Sequence, residues 1–324
     1  MNKLRTGLAN TAFTENGALS NKSIGSALLD FYYHAAARRG QDNSQLFADA
    51  YREHPKAAVA TLFNLRDVRG GKGERSSFRN GLDWLHTYDR KMFDTVISLV
   101  PEYGRWDDLI EYADDVMVQS VVREQWEKDL SAEHPSLLAK WLPSPNTSSE
   151  KTRKLAKQWR KALGLMEADY RKALSSLRAK IKVVERQMCA NDWSGINYPA
   201  VPSKAMTLYR KAFGKHDQTR FAEYLTKVEK GEAKINASTL FPHELVHLIQ
   251  VGEAPRVIEA QWKALPDYTA GKVGLVMADV SGSMHQEVAG SKAQAMDISV
   301  ALAIYFAERN KGPFANTYMT FTDH

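Results

Sequence analysis

The sequence predicts a mainly α-helical chain that closes with a strand–helix–strand piece of an α/β fold. Three observations carry that prediction. Apolar residues recur at three- and four-residue spacing through the first 240 residues, and no strand pattern stands out there. Pro and Gly cut the pattern into short stretches, at Pro55, Gly70, Gly71, Gly73, Pro101 and Gly104. Finally, the uncharged run Val273–Ala278 is followed at once by Asp279, and from Ser291 by a helical pattern of Ala295, Ile298, Ala301, Leu302, Tyr305 and Phe306. So short an apolar run reads as a strand buried on both faces, as in parallel sheets.

In chain order, Thr14-Glu15-Asn16-Gly17 reads as a turn. Ser23 is placed to cap a helix carrying Ile24, Ala27, Leu28, Phe31, Tyr32 and Ala35 up to Gly40. Shorter helices follow over Ser44–Glu53, Pro55–Val68, Ser76–Thr87 and Lys91–Leu99. Short helices with tight connections build a helical solenoid or an irregular bundle. No fixed-period repeat is visible, so a solenoid here has diverged units. A second strand is expected over Ala315–Thr322.

Composition narrows the class. The chain has 324 residues, 44% hydrophobic and 25% charged, as expected of a soluble globular protein with room for two domains. No apolar run reaches eighteen residues and the first residues are polar, so neither a membrane span nor a signal peptide is expected. A single cysteine, Cys189, excludes an intramolecular disulfide framework and fits a reducing cytoplasm. Net charge is a modest +6, so its placement matters more than its size.

That placement is uneven. Lys151–Arg186 holds twelve Lys and Arg against three acids, a surplus larger than that of the whole chain. Leu155, Trp159, Leu163, Met166, Tyr170, Leu174, Leu177 and Ile181 keep helical spacing within it, so the segment forms amphipathic helices with one basic face. A run of charge is usually a solvated face. With so few acids to form i,i+4 pairs, a polyanion partner is favoured, and the commonest is nucleic acid. Lys154, Lys157 and Lys161 are the candidate contacts. A second basic stretch, Arg66–Arg75, is Gly-rich but lacks the spacing of a phosphate-binding P-loop. It reads either as a helix stop followed by a helix start, or as a basic turn in which Arg66, Arg69, Lys72, Arg75 and Arg79 face phosphates.

At the end of the apolar run, Asp279, Ser281 and Ser283 lie where a strand hands over to a helix, the crevice in which open α/β sheets bind ligands. One carboxylate and two hydroxyls are too few to enclose Ca²⁺. They suit Mg²⁺ or Mn²⁺, which keep several waters. The alternative makes Asp279 and Ser281 turn and N-cap residues with no metal. The loop lacks the second Asp of an aspartyl phosphatase and the G-x-S-x-G of a serine hydrolase.

Two resemblances attach to these residues. Asp279-Val280-Ser281-Gly282-Ser283-Met284 resembles the metal-ion-dependent adhesion site of von Willebrand factor A domains. The resemblance implies that Asp279, Ser281 and Ser283 are metal ligands. In that family a Thr and a second Asp from two later loops complete the site, and those loops have no counterpart in the 54 residues from Gly271 to His324. The expectation is therefore the first part of such a domain, with half a metal site. Thr14–Gly17, Leu62–Arg75, Val100–Leu109 and Lys140–Pro143 resemble the TROVE module of Ro autoantigen proteins. They are closer to an uncharacterised branch of TROVE-like proteins that end in a von Willebrand A domain. The resemblance implies a ring of HEAT-like helical repeats that binds structured or misfolded small RNAs through spread, charge-based contacts. The division it implies is a helical domain over residues 1–262, a linker over 263–272 and a partial A domain over 273–324.

Pro242-His243-Glu244-Leu245-Val246-His247 contains H-E-x-x-H, the pattern of a zinc metalloprotease helix. Pro242 at the helix start and the want of a third ligand weigh against zinc. The reading is thus an RNA-binding protein of ribonucleoprotein assembly or RNA quality control, with a divalent-metal site that grips an acidic residue of a protein partner. No enzymatic mechanism is implied. A protein-interaction scaffold without RNA is the alternative, and a zinc metalloprotease the third.

Overall fold

The computed structural model describes residues 10–13, 19–38, 40–181, 183–288 and 293–322. The turn expected at Thr14–Gly17, and Ser291 and Lys182, lie outside the described residues. The chain is mainly helical and forms two compact units, Met1–Ile181 and Lys182–His324.

The first unit opens with an antiparallel pair, β1 (Thr11–Phe13) and β2 (Leu19–Asn21). Helix α1 covers Ala27–Ala37 and is capped by Ser26, not by Ser23. Gly25 adopts φ +93, which breaks any helical turn running from Ser23. Then come α2 (Ser44–Glu53), α3 (Pro55–Arg66, with Pro at its first position), α4 (Ser76–Tyr88) and α5 (Arg90–Val96). The short α6 (Val100–Tyr103) leads into a 3-10 turn, Trp106–Asp108. Four helices complete the unit: α7 (Val116–Ser131), α8 (Leu138–Trp141), α9 (Glu150–Ala162) and α10 (Glu167–Lys180).

Their apolar faces share one core, in which Phe31, Phe47, Phe78, Phe93, Trp159 and Tyr170 are fully buried. Each such side chain contributes about 1.5–3 kcal/mol by leaving water. The polar tips that enter with them are satisfied. Trp159 Nε1 donates to the Ile110 carbonyl at 2.9 Å, and Tyr170 Oη donates to the Pro143 carbonyl at 2.9 Å.

The second unit contains α11 (Val184–Cys189), α12 (Ser203–His216), α13 (Gln218–Glu229), α14 (Pro242–Gln250) and α15 (Pro255–Lys263), then β3 (Val276–Asp279), α16 (Ala295–Arg309) and β4 (Tyr318–Phe321). Strands β3 and β4 pair in parallel, with Val276 opposite Tyr318 and Asp279 opposite Phe321. The expected strand–helix–strand piece is therefore present. Its burial differs from the expectation. Ala278 is the one buried residue of β3, while Met277 is 62% exposed and all of β4 is exposed. Two strands with α16 packed against β3 leave alternate side chains facing water, so the apolar run is not buried on both faces. Residues 263–272 are tied down within this unit: Tyr268 N–H donates to Tyr305 Oη at 2.9 Å, and Tyr305 Oη donates to the Pro266 carbonyl. The division between compact units falls at Ile181. No helix among the described residues is long and apolar enough to cross a membrane.

Candidate functional site

Three segments far apart in sequence, Arg66–Arg79, Gly104–Asp108 and Lys140–Trp141, meet in the first unit. Asp108 is their hub. Its side chain is wholly buried and accepts from Arg66 Nε at 2.7 Å, Arg79 Nε at 2.8 Å and the Arg105 backbone N–H at 3.1 Å. Gly104 makes the approach possible, since a Cβ there would lie 2.7 Å from Asp108 Oδ2 and 3.2 Å from Arg66 Cγ. Arg79 also reaches Asp107 at 3.1 Å. The Arg105 guanidinium lies 5.3 Å from the Trp141 ring centre.

Of the turn residues singled out by sequence, Arg66 is buried in this network and Arg79 is committed to two aspartates. Lys72 Nζ donates to the Tyr32 carbonyl at 2.6 Å and sits 3.4 Å from the Tyr32 ring centre. Arg69 and Arg75 are exposed. The turn itself is folded back on α3: Lys72 N–H bonds the Asn64 carbonyl at 3.1 Å and Glu74 N–H the Leu65 carbonyl at 2.6 Å. Arg105 and Asp108 were missed as site residues. Their signal was the charged run Arg105-Trp106-Asp107-Asp108 inside an otherwise packed stretch.

Helix α9 carries the second basic surface. Ala156, Trp159 and Ala162 point into the core, and Arg153, Lys154, Lys157, Arg160 and Lys161 share the opposite arc. Lys154 pairs with Glu150 at 2.8 Å, but both side chains are largely in water, so the pair neutralises little. Lys157 and Lys161 are exposed with no ion pair among the described residues. Not every cation of the basic segment is available. Arg178 on α10 donates to the carbonyls of Ala139 and Leu142 and to Ser144 Oγ, each at 2.8 Å, and burial holds its guanidinium below the ordinary value.

The strand-end loop of the second unit brings Asp279, Ser281 and Ser283 together. Ser281 Oγ and Ser283 Oγ lie 3.1 Å apart, and Ser281 N–H donates to Asp279 Oδ1 at 2.9 Å. Hydrogen bonding from Ser281, its hydroxyl first and its N–H second, holds the Asp279 carboxyl below its usual value. Adjacent oxygens around octahedral Mg²⁺ are about 2.9 Å apart, so the hydroxyl spacing fits two neighbouring positions of that shell. Ser281 is buried and Ser283 exposed, which leaves one side of the loop open to water. No group of three or more His, Cys, Asp or Glu that could hold a metal occurs among the described residues.

The H-E-x-x-H residues are otherwise engaged. Glu244 accepts from Phe241 N–H at 3.0 Å at the start of α14 and pairs with Lys204 at 2.9 Å. His247 Nδ1 lies 3.2 Å from Asp297 Oδ2, and His243 stacks on Phe241.

Comparison with known proteins adds a family. The model of a domain of unknown function, DUF2828, matches residues 14–93 and 113–270. Arg105 and Asp108 lie between the matched stretches, and the Asp279 loop lies beyond them. A curated relative, "Uncharacterized protein L728" of Acanthamoeba polyphaga mimivirus, is 29% identical over 363 aligned residues, which cover 97% of this chain and 62% of that protein. The chain thus spans less than two thirds of the length of that relative. No solved structure matches. With more than half of its residues matched, the chain belongs to the DUF2828 family.

Proposed function

We propose that this chain is an RNA-binding protein of ribonucleoprotein assembly or RNA quality control. The basic arc of α9 tracks the phosphate backbone, and the Asp279 loop takes Mg²⁺ or Mn²⁺ for contact with an acidic group of a protein partner. The finer architecture, HEAT-like repeats followed by the first part of a von Willebrand A domain, belongs to the same proposal. The observation that carries it is the exposed Lys154–Lys157–Lys161 row, set opposite a buried Trp159. A one-sign row at helical spacing follows a line of phosphates and releases their counterions.

The test is a gel-shift titration with a structured small RNA at several salt concentrations. Affinity falls steeply with salt in the wild type. Reversing Lys154, Lys157 and Lys161 to Glu weakens binding alike across RNA sequences, and the salt slope loses roughly 2 units if three single-strand phosphates are released. A flat salt dependence, or reversals that leave affinity unchanged, removes RNA from this surface and leaves the scaffold reading.

A further inference from the structure

We infer that Arg75 and Arg105, backed by the buried Arg66, form a binding site for a phosphate group on the first unit, distinct from the α9 arc. It deepens the RNA reading by adding a second phosphate contact, and it stands without RNA if the ligand is a small phosphate.

The guanidinia of Arg66 and Arg79 meet the carboxylates of Asp107 and Asp108 here, beside Arg105, and Arg75 stands one turn ahead of Arg79 at the start of α4, its carbonyl accepting from Arg79 N–H at 3.0 Å. Two positive charges are left over. Arg79 and Arg66 use the aspartates, while Arg75 and Arg105 have no carboxylate within 4 Å among the described residues. Glu74 does not serve them as a free acid, because it is buried and accepts from Ser77 N–H at 2.9 Å.

The second observation is Arg66 itself. It is 3% exposed, and its Nη2 is buried with no hydrogen-bond partner. A buried charged donor without an acceptor is costly, and such groups persist where a ligand or bound water answers them. Arg66 Nε and the Arg105 N–H share Asp108 Oδ2, so the Arg66 guanidinium lies beside the backbone of Arg105. Burial, followed by the charge of Arg75 and then that of Arg66, pushes the Arg105 guanidinium below its ordinary value against the opposing pull of Asp107 and Asp108. Cations so crowded are relieved by an anion. The Trp141 ring, 5.3 Å from the Arg105 guanidinium, restrains its planar fork, the preorganisation that suits two oxygens of one phosphate.

Arg105→Gln removes the charge with little change of volume, and Arg105→Lys keeps the charge without the fork. Both are compared with the wild type in two assays, thermal melting with millimolar inorganic phosphate at fixed ionic strength and gel-shift titration with RNA. Retained melting without ligand shows that the variants fold. The expected result is a phosphate-induced rise in Tm that Arg105→Gln abolishes. RNA affinity falls about ten-fold in Arg105→Gln, the salt slope drops by about 0.7, and Arg105→Lys restores the slope. If RNA binds but Arg105→Gln changes neither affinity nor slope, while the α9 reversals do, the site is overturned and the α9 reading stands. In that case a buried water on Arg66 Nη2 accounts for the geometry. If RNA does not bind but phosphate stabilises the wild type and not Arg105→Gln, the site holds a small phosphate and the RNA reading falls. If neither ligand acts, both are overturned.

Discussion

Replacing Asp108 by Ala should unfold the first unit far more readily than its single missing carboxylate suggests. The carboxylate is wholly buried and is the only ion-pair partner of Arg66 among the described residues, at 2.7 Å. Arg66 is itself buried, so it cannot turn to water when its partner goes. Arg79, about a third exposed, can. Breaking a buried pair from one side costs about 3–5 kcal/mol, most of it from the stranded charge. For a unit of this size that amounts to a fall in Tm of about 6–20 °C. Five of the seven tryptophans, Trp84, Trp106, Trp126, Trp141 and Trp159, lie in the first unit, so urea unfolding followed by Trp emission reports chiefly on it. The diagnostic variant is Asp108→Ala with Arg66→Met. Removing both charges should bring stability back to within about 2 kcal/mol of wild type, since an apolar replacement of a buried pair is often neutral. A loss below about 1 kcal/mol in Asp108→Ala, or no recovery in the double variant, would refute the hub role of Asp108.

Three other perturbations have defined outcomes. Gly71→Ala places a Cβ 1.7 Å from the Asn64 carbonyl oxygen, so it should cost about 2 kcal/mol or more in urea unfolding, while Gly70→Ala, whose nearest neighbour is the mobile end of Asp67 at 3.0 Å, should cost less. Burial opposes ionisation of Asp115, but Arg90, Val118 N–H and His86 outweigh it and hold the carboxyl below its ordinary 3.8. Its stabilisation is therefore full above that value and lost as pH falls through the lower folded value; acid melting curves should show this, and Asp115→Asn should flatten them. Calorimetric titration of this chain with Mg²⁺ or Mn²⁺ should show weak binding that Asp279→Ala abolishes, and tight binding would mean the loop already has all the ligands it needs.

The local features were legible because their causes are local. Ser44–Glu53 begins and ends where the apolar period and the turn residues put it, and Pro55 opens α3 because a first helical residue has no use for an N–H. The start of α1 slipped from Ser23 to Ser26 because a positive φ at Gly25 leaves no mark on the periodicity. Arg66 shows a different limit. In sequence it stands with Arg69, Lys72 and Arg75 as one basic run, but its partner Asp108 is 42 residues away. Arg178 is withdrawn from the α10 surface in the same way, by carbonyls at Ala139 and Leu142. Burial of a cation depends on what meets it across the core, which a local pattern does not encode. The contact among Asp279, Ser281 and Ser283 was legible because the three are near neighbours on one turn.

The ladder beneath that loop bears on the metal reading proposed for it. Asp279 is the last residue of β3, and Val280 N–H continues the pairing by donating to the Phe321 carbonyl at 2.9 Å. The carboxylate is therefore positioned through β4. A two-stranded sheet is marginal without apolar cover, and here Met277, Met319 and Phe321, which share one face with Asp279, are each about half or more exposed. Fraying of β4 would move Asp279 relative to Ser283, which is carried on the following 3-10 turn. Mg²⁺ demands near-ideal octahedral placement, so each such excursion loses a ligand rather than merely stretching one. On the proposed metal reading, a cover over the open face of this sheet would stiffen the ladder and raise metal affinity without touching Asp279, Ser281 or Ser283. By reciprocity, a bound cation favours the covered state to the same extent. On that reading the exposed face and the Asp279 loop are coupled through the register of Asp279 and Phe321.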